Sequence, residues 1–579
     1  MKNDRFVVSA LVDFPDDCGN IVFTRALVEN LIERLQSVGV TRVYWNFYQA
    51  GMWEFFGVGS EATRETLGNL GEPLAVGARA AHERGLEFWA TIKPYETGAS
   101  HSNPRNSPRM LEYPGLPGIG GEYTVDPWVL NHPEMRLKIR SADLPRGLEN
   151  VPISRIQLRQ KNMAPVRIKP ENIEIWTSDD NVGYRRKEVS FHVSESVETC
   201  PREVVEIQGG PVTGKGESVR ALDLTGLDLL DPFIAVTTNL DDDGGTFANT
   251  ALEMVRAFGP EEREFPVVVA SHKAIWRPER DLRTDDLEYD CGIGDVVVCL
   301  DVANSRNVTP GWFGTGSTRD GVIAVGRGRN EYVSGALCEA YPEVRGYWLD
   351  WVGACIAAGV DGVDVRISNH SSWVNTQEIY GFNEPVAEED ERRYGSDPDT
   401  GYFDPELLGA VRGEFFDRFL RAAKARLSAA GKKLSVHTEM EGFRPDSCQA
   451  RWRSMPNIVF NWRNWLRSGL ADEATLFGRA WNVDRLLEDP LTQEMLGEAA
   501  AAGVPVHMNN PVGHHAEEMS DAEKLDYSFR KGGLGGYCFY ETAAMYDGAE
   551  PVSADGTLNF RPGLLESIRE KVDSLGLGG

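Results

Sequence analysis

Six times along this chain an amphipathic helical run ends at a glycine and gives way, within a few residues, to a short apolar strand whose last residues are polar. The copies read QSVGVTRVYWN, HERGLEFWATIK, IAAGVDGVDVR, SAAGKKLSVHTE, AAAGVPVHMNN and RKGGLGGYCFYE. A glycine takes the left-handed conformation that ends a helix, so Gly39, Gly85, Gly359, Gly431, Gly503 and Gly532 read as C-caps. Buried apolar strands alternating with helices make a parallel sheet covered on both faces. The opening strand FVVSALVD and a sixth near Glu473 to Phe477 bring the strands to eight, and Leu564, Leu565, Ile568 and Val572 supply a closing helix. Eight such units predict an α/β fold, the (β/α)8 TIM barrel. A doubly wound open sheet is the structural alternative, but no G-x-G-x-x-G follows the first strand to support its dinucleotide role.

The helices carry the matching period in Leu27, Leu31 and Leu35, in Val344, Trp348 and Val352, and in Phe415, Phe416, Phe419 and Ala423. Ser520 and Glu523 form a capping box for the seventh helix. Between strand three (Leu86 to Lys93) and the helix starting near Pro342 lies far more chain than a βα loop needs. From about Ile153 to Thr238 the text turns to alternating strands: ISRIQLRQ, VRIKPENIEIWTSDDNVGYRR, KEVSFHV, REVVEIQ, VRALDL and DPFIAVTTN. The barrel is therefore interrupted after strand three by a β-sandwich of jelly-roll type. The expected division is 1–125 for strands one to three, 126–270 for the insert and 271–579 for strands four to eight, with 271–335 connecting. In the segment from Phe247 to Asn330, TFANTALEMVRAFG reads as a helix, and EFPVVVASHKAIW and GDVVVCLDVA as strands.

The 579 residues are 41% hydrophobic and 26% charged, a globular composition with no run of the roughly 18 apolar residues that a membrane span needs. A net charge of -28 opposes binding to nucleic acid or anionic lipid, both polyanions. The eight cysteines form no C-x-x-C pair and read as reduced thiols. In MKNDRFVVSALVDF the apolar run stops at Asp13 with no cleavage-site pattern after it, so the segment reads as a strand and the location as cytoplasmic. No cofactor is implied, and the oligomeric state is left open.

Barrel active sites lie at the C-terminal strand ends, and polar residues crowd these. Strand one ends in Asp13, with Asp16 and Asp17 following; strand two in Trp45 and Asn46; strand three in Lys93, then Tyr95 and Glu96. Strand four runs from Asp364 through Arg366 to His370, strand five holds His437, Glu439 and Glu441, strand seven His507, Asn509 and Asn510, and strand eight Tyr540 and Glu541. Strand residues two apart share a face, so Asp364 and Arg366, and His437, Glu439 and Glu441, project together. Cutting a glycosidic bond needs one carboxyl to protonate the leaving oxygen and a second to attack or to activate water. Asp364 and Glu439 are the expected catalytic pair, with Arg366 keeping Asp364 ionised as nucleophile and Glu439 protonated as acid. The expected carbohydrate-binding residues are Asp13, Asn46, Lys93, Arg366, His370, His437, Glu441, Trp462, His507, Asn509 and Glu541. Asp13 and Glu541 are also the competing catalytic carboxylates. Asp361, in an Asp-Gly step, reads as turn chemistry. Trp45, Tyr48, Trp53, Tyr95, Trp373, Trp462, Trp465 and Tyr540 supply rings of the kind that sugars stack on, half of them read as core filling.

The segment IEIWTSDDNVGYRR resembles the galactose-binding-like jelly rolls. At DGVDVRISNH and YGFNEPVAEEDERRYGSDP the chain resembles the glycoside-hydrolase-like (β/α)8 barrels found widely among uncharacterised bacterial proteins. That resemblance runs over about residues 5–110 and 340–575 and implies a barrel with glycosidase chemistry. Asn383-Glu384-Pro385 falls beyond strand four, so Asn383 reads as the N-cap of the helix through Glu388 to Arg393. Two rival readings stand beside the glycosidase. In one, His437, Glu439 and His507 hold a metal in a hydrolase or sugar isomerase. In the other, barrel and jelly roll bind carbohydrate without cutting it.

Overall fold

The computed structural model describes residues 6–18, 21–48, 61–95, 100–102, 121–123, 127–143, 150–160, 168–178, 185–199, 216–231, 233–238, 255–265, 267–268, 322–327, 331–367, 379–439, 457–477, 483–513, 519–531 and 533–577. Eight strands, Val7–Val12, Arg42–Tyr48, Glu87–Ile92, Gly362–Arg366, Lys433–Glu439, Glu473–Phe477, Val506–Pro511 and Gly536–Tyr540, close into a barrel, and every neighbouring pair is parallel. They are numbered one to eight in that order. The (β/α)8 expectation therefore holds, including the sixth strand at Glu473–Phe477 and the closing helix Leu564–Ser574.

The glycine punctuation holds as well. Gly39, Gly85, Gly359, Gly431 and Gly503 all have positive φ. At the sixth copy the left-handed residue is Gly533 (φ 82), while Gly532 lies outside the described residues. The Ser520 hydroxyl accepts from Glu523 N at 3.3 Å and the Glu523 carboxylate accepts from Ser520 N at 2.8 Å, the reciprocal bonds of a capping box. Asp361, at the bend before strand four, ties that bend to strand three: Oδ2 accepts from Phe88 N at 2.9 Å and lies 2.9 Å from His82 Nε2.

The long connection after strand three holds two five-stranded antiparallel sheets. One runs in the order His192–Thr199, Ser218–Leu229, Ile153–Gln160, Val255–Phe258, Glu264–Phe265, the other Val267–Val268, Val322–Arg327, Phe233–Thr238, Ile173–Ser178, Arg185–Arg186. Ile153, Ile156 and Leu158 of the first share one core with Ile173, Ile175, Ile234 and Val236 of the second. Two corrections follow. Val255–Phe258 is a strand, not part of a helix, because its pairing with Ile153–Gln160 outweighs the helical text before it; residues 246–254 lie outside the described residues. The second sheet also takes Val322–Arg327 from the stretch assigned to the connection. GDVVVCLDVA lies outside the described residues.

Entry to and exit from the connection are joined at a neck, where Arg136–Lys138 pairs antiparallel with Tyr332–Leu337. Asn383 does occupy the N-cap position, but its side chain does not cap. Its Oδ1 accepts from Lys138 N at 3.0 Å and its Nδ2 donates to Arg136 O at 2.7 Å, so it binds the neck strand instead. Glu384 joins the same clasp, 2.5 Å from Lys138 Nζ and accepting from the Tyr341 hydroxyl at 3.0 Å. Beneath it the buried Glu339 carboxylate takes two bonds from the buried Arg412 guanidinium, at 2.6 and 2.8 Å, and one from the Tyr95 hydroxyl at 3.1 Å.

Candidate active site

Every second residue of a barrel strand points inward, and the parallel register stacks these side chains in tiers drawn from alternate strands. From the N-terminal floor upward the tiers are Arg42 and Glu473; then Ser9, Trp89, Ser435 and His507; then Tyr44, Asp364, Thr475 and Cys538. Above them come Leu11, Thr91, His437 and Asn509; then Asn46, Arg366, Phe477 and Tyr540; and at the mouth Asp13 and Lys93. All are buried. Barrel interiors are commonly filled with branched aliphatics; this one carries polar side chains in every tier around an apolar cluster of Leu11, Tyr44, Trp89, Phe477, Cys538 and Tyr540.

The floor is an ion cluster. Glu473 lies 2.5 Å from Arg42 Nη1, 3.0 Å from His507 Nε2 and 2.8 Å from Lys433 Nζ. Burial alone would raise its pKa, but the hydrogen bond from His507 and the charge of Arg42 outweigh that and hold the carboxyl far below the usual range. Glycine is required beside it, since a Cβ on Gly362 would stand 2.5 Å from the Trp89 ring and one on Gly536 2.4 Å from Val7 O.

Two tiers higher, Asp364 Oδ2 lies 2.9 Å from His437 Nδ1, and Oδ1 accepts from the Thr475 hydroxyl at 3.3 Å. Above that pair Arg366 Nη1 donates to the Tyr540 hydroxyl at 2.7 Å. Its guanidinium stands over the rings of Phe477 and Tyr540, 5.1 and 5.2 Å from their centroids.

At the mouth Lys93 Nζ is 3.7 Å from Asp13 Oδ2. Glu541 follows strand eight directly, after a cis Tyr540–Glu541 peptide bond. Burial and then the charge of Asp13 push its carboxyl up to about 7, against the opposing pull of the Tyr540 hydroxyl, Lys93 and Arg366. Asp17, on the helical turn Phe14–Asp17 that follows strand one, is buried beside them. Its Oδ2 accepts from the Thr542 hydroxyl at 2.8 Å. Burial raises its pKa well above the ordinary value, the hydrogen bond from Thr542 opposes that, and the charges of Asp13 and Glu541 add to it.

The expected site residues thus divide by height. Asp13, Lys93, Arg366 and Glu541 come together at the mouth, with Asn46 level with Arg366 and Asn509 one tier lower. Asp364 and His437 pair below them. His507 is corrected in position: as the second residue of its strand it stands near the floor, bound to Glu473, well away from His437. Trp462 is corrected too, because it opens the helix Trp462–Arg467 and packs with Trp465 in the core outside the barrel. Trp45 likewise faces outward, its ring 4.5 Å from Phe14 and 5.6 Å from Phe88, and Tyr95 lies 5.5 Å from Phe416. His370, Glu441, Trp53, Trp373 and the side chains of Glu439 and Tyr48 lie outside the described residues; the Glu439 backbone ends strand five opposite Phe477. Among the described residues no three His, Cys, Asp or Glu side chains gather as a metal would require. Asp17 was given no role from sequence, although its place four residues after Asp13, one helical turn on, is a usable signal.

No family model and no curated protein matches this sequence. Among solved structures, the chain is similar to the catalytic domain of a β-amylase from Paenibacillus polymyxa at 9% identity, covering 99% of this chain and 98% of that one with a TM-score of 0.35. It is similar to α-L-fucosidase isoenzyme 2 from Paenibacillus thiaminolyticus at 9% identity, covering 99% of this chain and 49% of that one, TM-score 0.39. A β-galactosidase from Marinomonas ef1 gives 8% identity, 98% and 60% coverage, and a TM-score of 0.39. At such scores these likenesses carry no weight for the activity.

Proposed function

We propose that the chain is a glycoside hydrolase acting on an oligo- or polysaccharide, with Glu541 as general acid and Asp13 as its carboxylate partner. The observation that carries this reading is the convergence of Asp13, Lys93 and Glu541 at the barrel mouth, where burial, and after it the charge of Asp13, push the Glu541 carboxyl up to about 7. Glycosidic cleavage asks for that asymmetry, an acid that keeps its proton at neutral pH beside a carboxylate that attacks carbon or activates water. Lys93, Arg366 and Asn46 supply donors for sugar hydroxyls around it. Asp364, the carboxylate preferred from sequence, has its two oxygens engaged by His437 and Thr475 beneath the mouth, a role that orients rather than reacts. The insert is proposed as the galactose-binding-like module, with the division 1–125, 126–270 and 271–579 amended by Val322–Arg327, which belongs to its second sheet. It is supported by a core in the insert that shares no residue with the barrel core.

Turnover of aryl glycosides and oligosaccharides is the direct test. Because the acid must be protonated to act, kcat/KM is expected to fall as pH rises through about 7. A pH–rate profile flat from pH 6 to 9 would remove Glu541 from that role. Asp364→Asn is expected to cost about 10–100-fold, the effect of a supporting group. A loss as large as that of Glu541→Gln returns the catalytic role to Asp364 and Glu439.

A further inference from the structure

Four groups from two barrel strands and the segments after them converge on the mouth: Asp13 and Asp17 at the end of strand one, Glu541 and Thr542 at the end of strand eight. Asp17 N donates to Asp13 O at 3.0 Å, which sets the turn Phe14–Asp17 rigidly on the strand that carries Asp13. From that turn the Asp17 carboxyl reaches the Thr542 hydroxyl at 2.8 Å, in the residue immediately after Glu541. Thr542 begins the short 3-10 turn Thr542–Met545, and Thr542, Met545 and Asp17 are all buried. Tyr546, buried at the end of the turn, faces the same carboxyl.

We propose that Asp17 is a positioning residue for the half-buried Glu541, holding Thr542 so that the Glu541 carboxyl stays at the mouth beside Asp13. This rests on the glycosidase reading only for its effect on turnover. The groups facing Glu541 are Asp13, Lys93, Arg366 and Tyr540, and those facing Asp17 are Asp13, Glu541, Thr542 and Tyr546. Burial favours the protonated form of Asp17, and the charge of Asp13 adds to that. An amide is the isostere of a neutral carboxyl, and its oxygen accepts from Thr542 equally well. Position and charge are therefore separable by substitution.

The experiment compares Asp17→Asn, Asp17→Ala and Thr542→Val in the full-length protein, with two readouts. The first is the kcat and KM of glycoside cleavage against pH. The second needs no activity: the pKa of Glu541, read from the pH dependence of the difference in thermal midpoint between each variant and the same variant carrying Glu541→Gln. Asp17→Asn is expected to keep the Glu541 pKa and kcat close to the parent. Asp17→Ala and Thr542→Val should lower that pKa by about one unit as more water reaches the carboxyl, and cut kcat about 10–100-fold with KM little changed. Equal effects of Asn and Ala at position 17 would overturn the proposal in favour of a charge effect. An unshifted Glu541 pKa in Thr542→Val would overturn it as well, and that variant decides the matter should Asp17→Ala not fold. If the parent cleaves no glycoside, the glycosidase reading fails while the midpoint comparison still judges Asp17.

Discussion

Glu541→Gln is expected to lower turnover by about 10²–10⁴-fold, the range for loss of a positioned general acid, and Asp13→Asn by at least as much. The loss for Glu541→Gln should depend on the leaving group, large for alkyl glycosides and oligosaccharides and small for nitrophenyl glycosides, whose phenolate departs without a proton. The descending alkaline limb of the pH profile should vanish with it. The same substitution should stabilise the fold. The Glu541 carboxyl titrates near its ordinary value when unfolded and at about 7 when folded, so its ionisation costs the native state progressively as pH rises between those values. Below the unfolded pKa wild type and Glu541→Gln should melt alike; above pH 7 the variant should gain up to about 3 kcal/mol. A variant that is inactive and less stable at pH 8 would show that Glu541 serves structure rather than chemistry.

Arg412→Met is expected to be among the most damaging changes away from the mouth. Glu339 and Arg412 are both fully buried and doubly bonded, and removing the guanidinium leaves a carboxylate without compensation in the core. Such losses run to about 3–5 kcal/mol. The pair joins the exit of the neck to the long helix Pro405–Ala429, and through Tyr95 to the end of strand three. The double variant Glu339→Leu/Arg412→Met should recover most of the loss, because replacing both charges removes the desolvation cost as well. Urea denaturation followed by circular dichroism measures both. A single variant within about 1 kcal/mol of wild type would mean that the surrounding polar groups already neutralise Glu339.

The barrel was legible because its punctuation is local. A glycine at a helix end and a short apolar run after it are read within ten residues, and their recurrence supplies the count. Heights inside the barrel were not legible, because they depend on how far each strand is sheared against its neighbours. Asp364 and His507 both belong to strands that end in polar residues, but Arg366 still lies above Asp364 toward the mouth, and Asn509 and Pro511 above His507. The outward turn of Trp45 was within reach of the sequence, since Asn46 next to it takes the inward position and adjacent strand residues face opposite sides. Trp462 was not, because nothing near it in the text reveals that its short helix packs behind strand five. The Asn-Glu pair at 383–384 misleads for a related reason: its partners are on a neck strand some 245 residues away in sequence.

The interruption of the barrel also has a consequence for the order of synthesis. Strand three ends at Ile92 and its partner strand four begins at Gly362, so about 270 residues must leave the ribosome before the two pair. At roughly 5–20 residues per second the growing chain carries a three-stranded sheet with both edges open, and that of strand three waits about 15–55 s for its partner. An open strand edge is a template for pairing with another chain. All the strands of the insert's two antiparallel sheets, which pair with one another, are made within that interval. The last parts of the neck, Tyr332–Leu337 and Glu339, are made before strand four, and in the folded chain Glu339 accepts from the Tyr95 hydroxyl just beyond strand three.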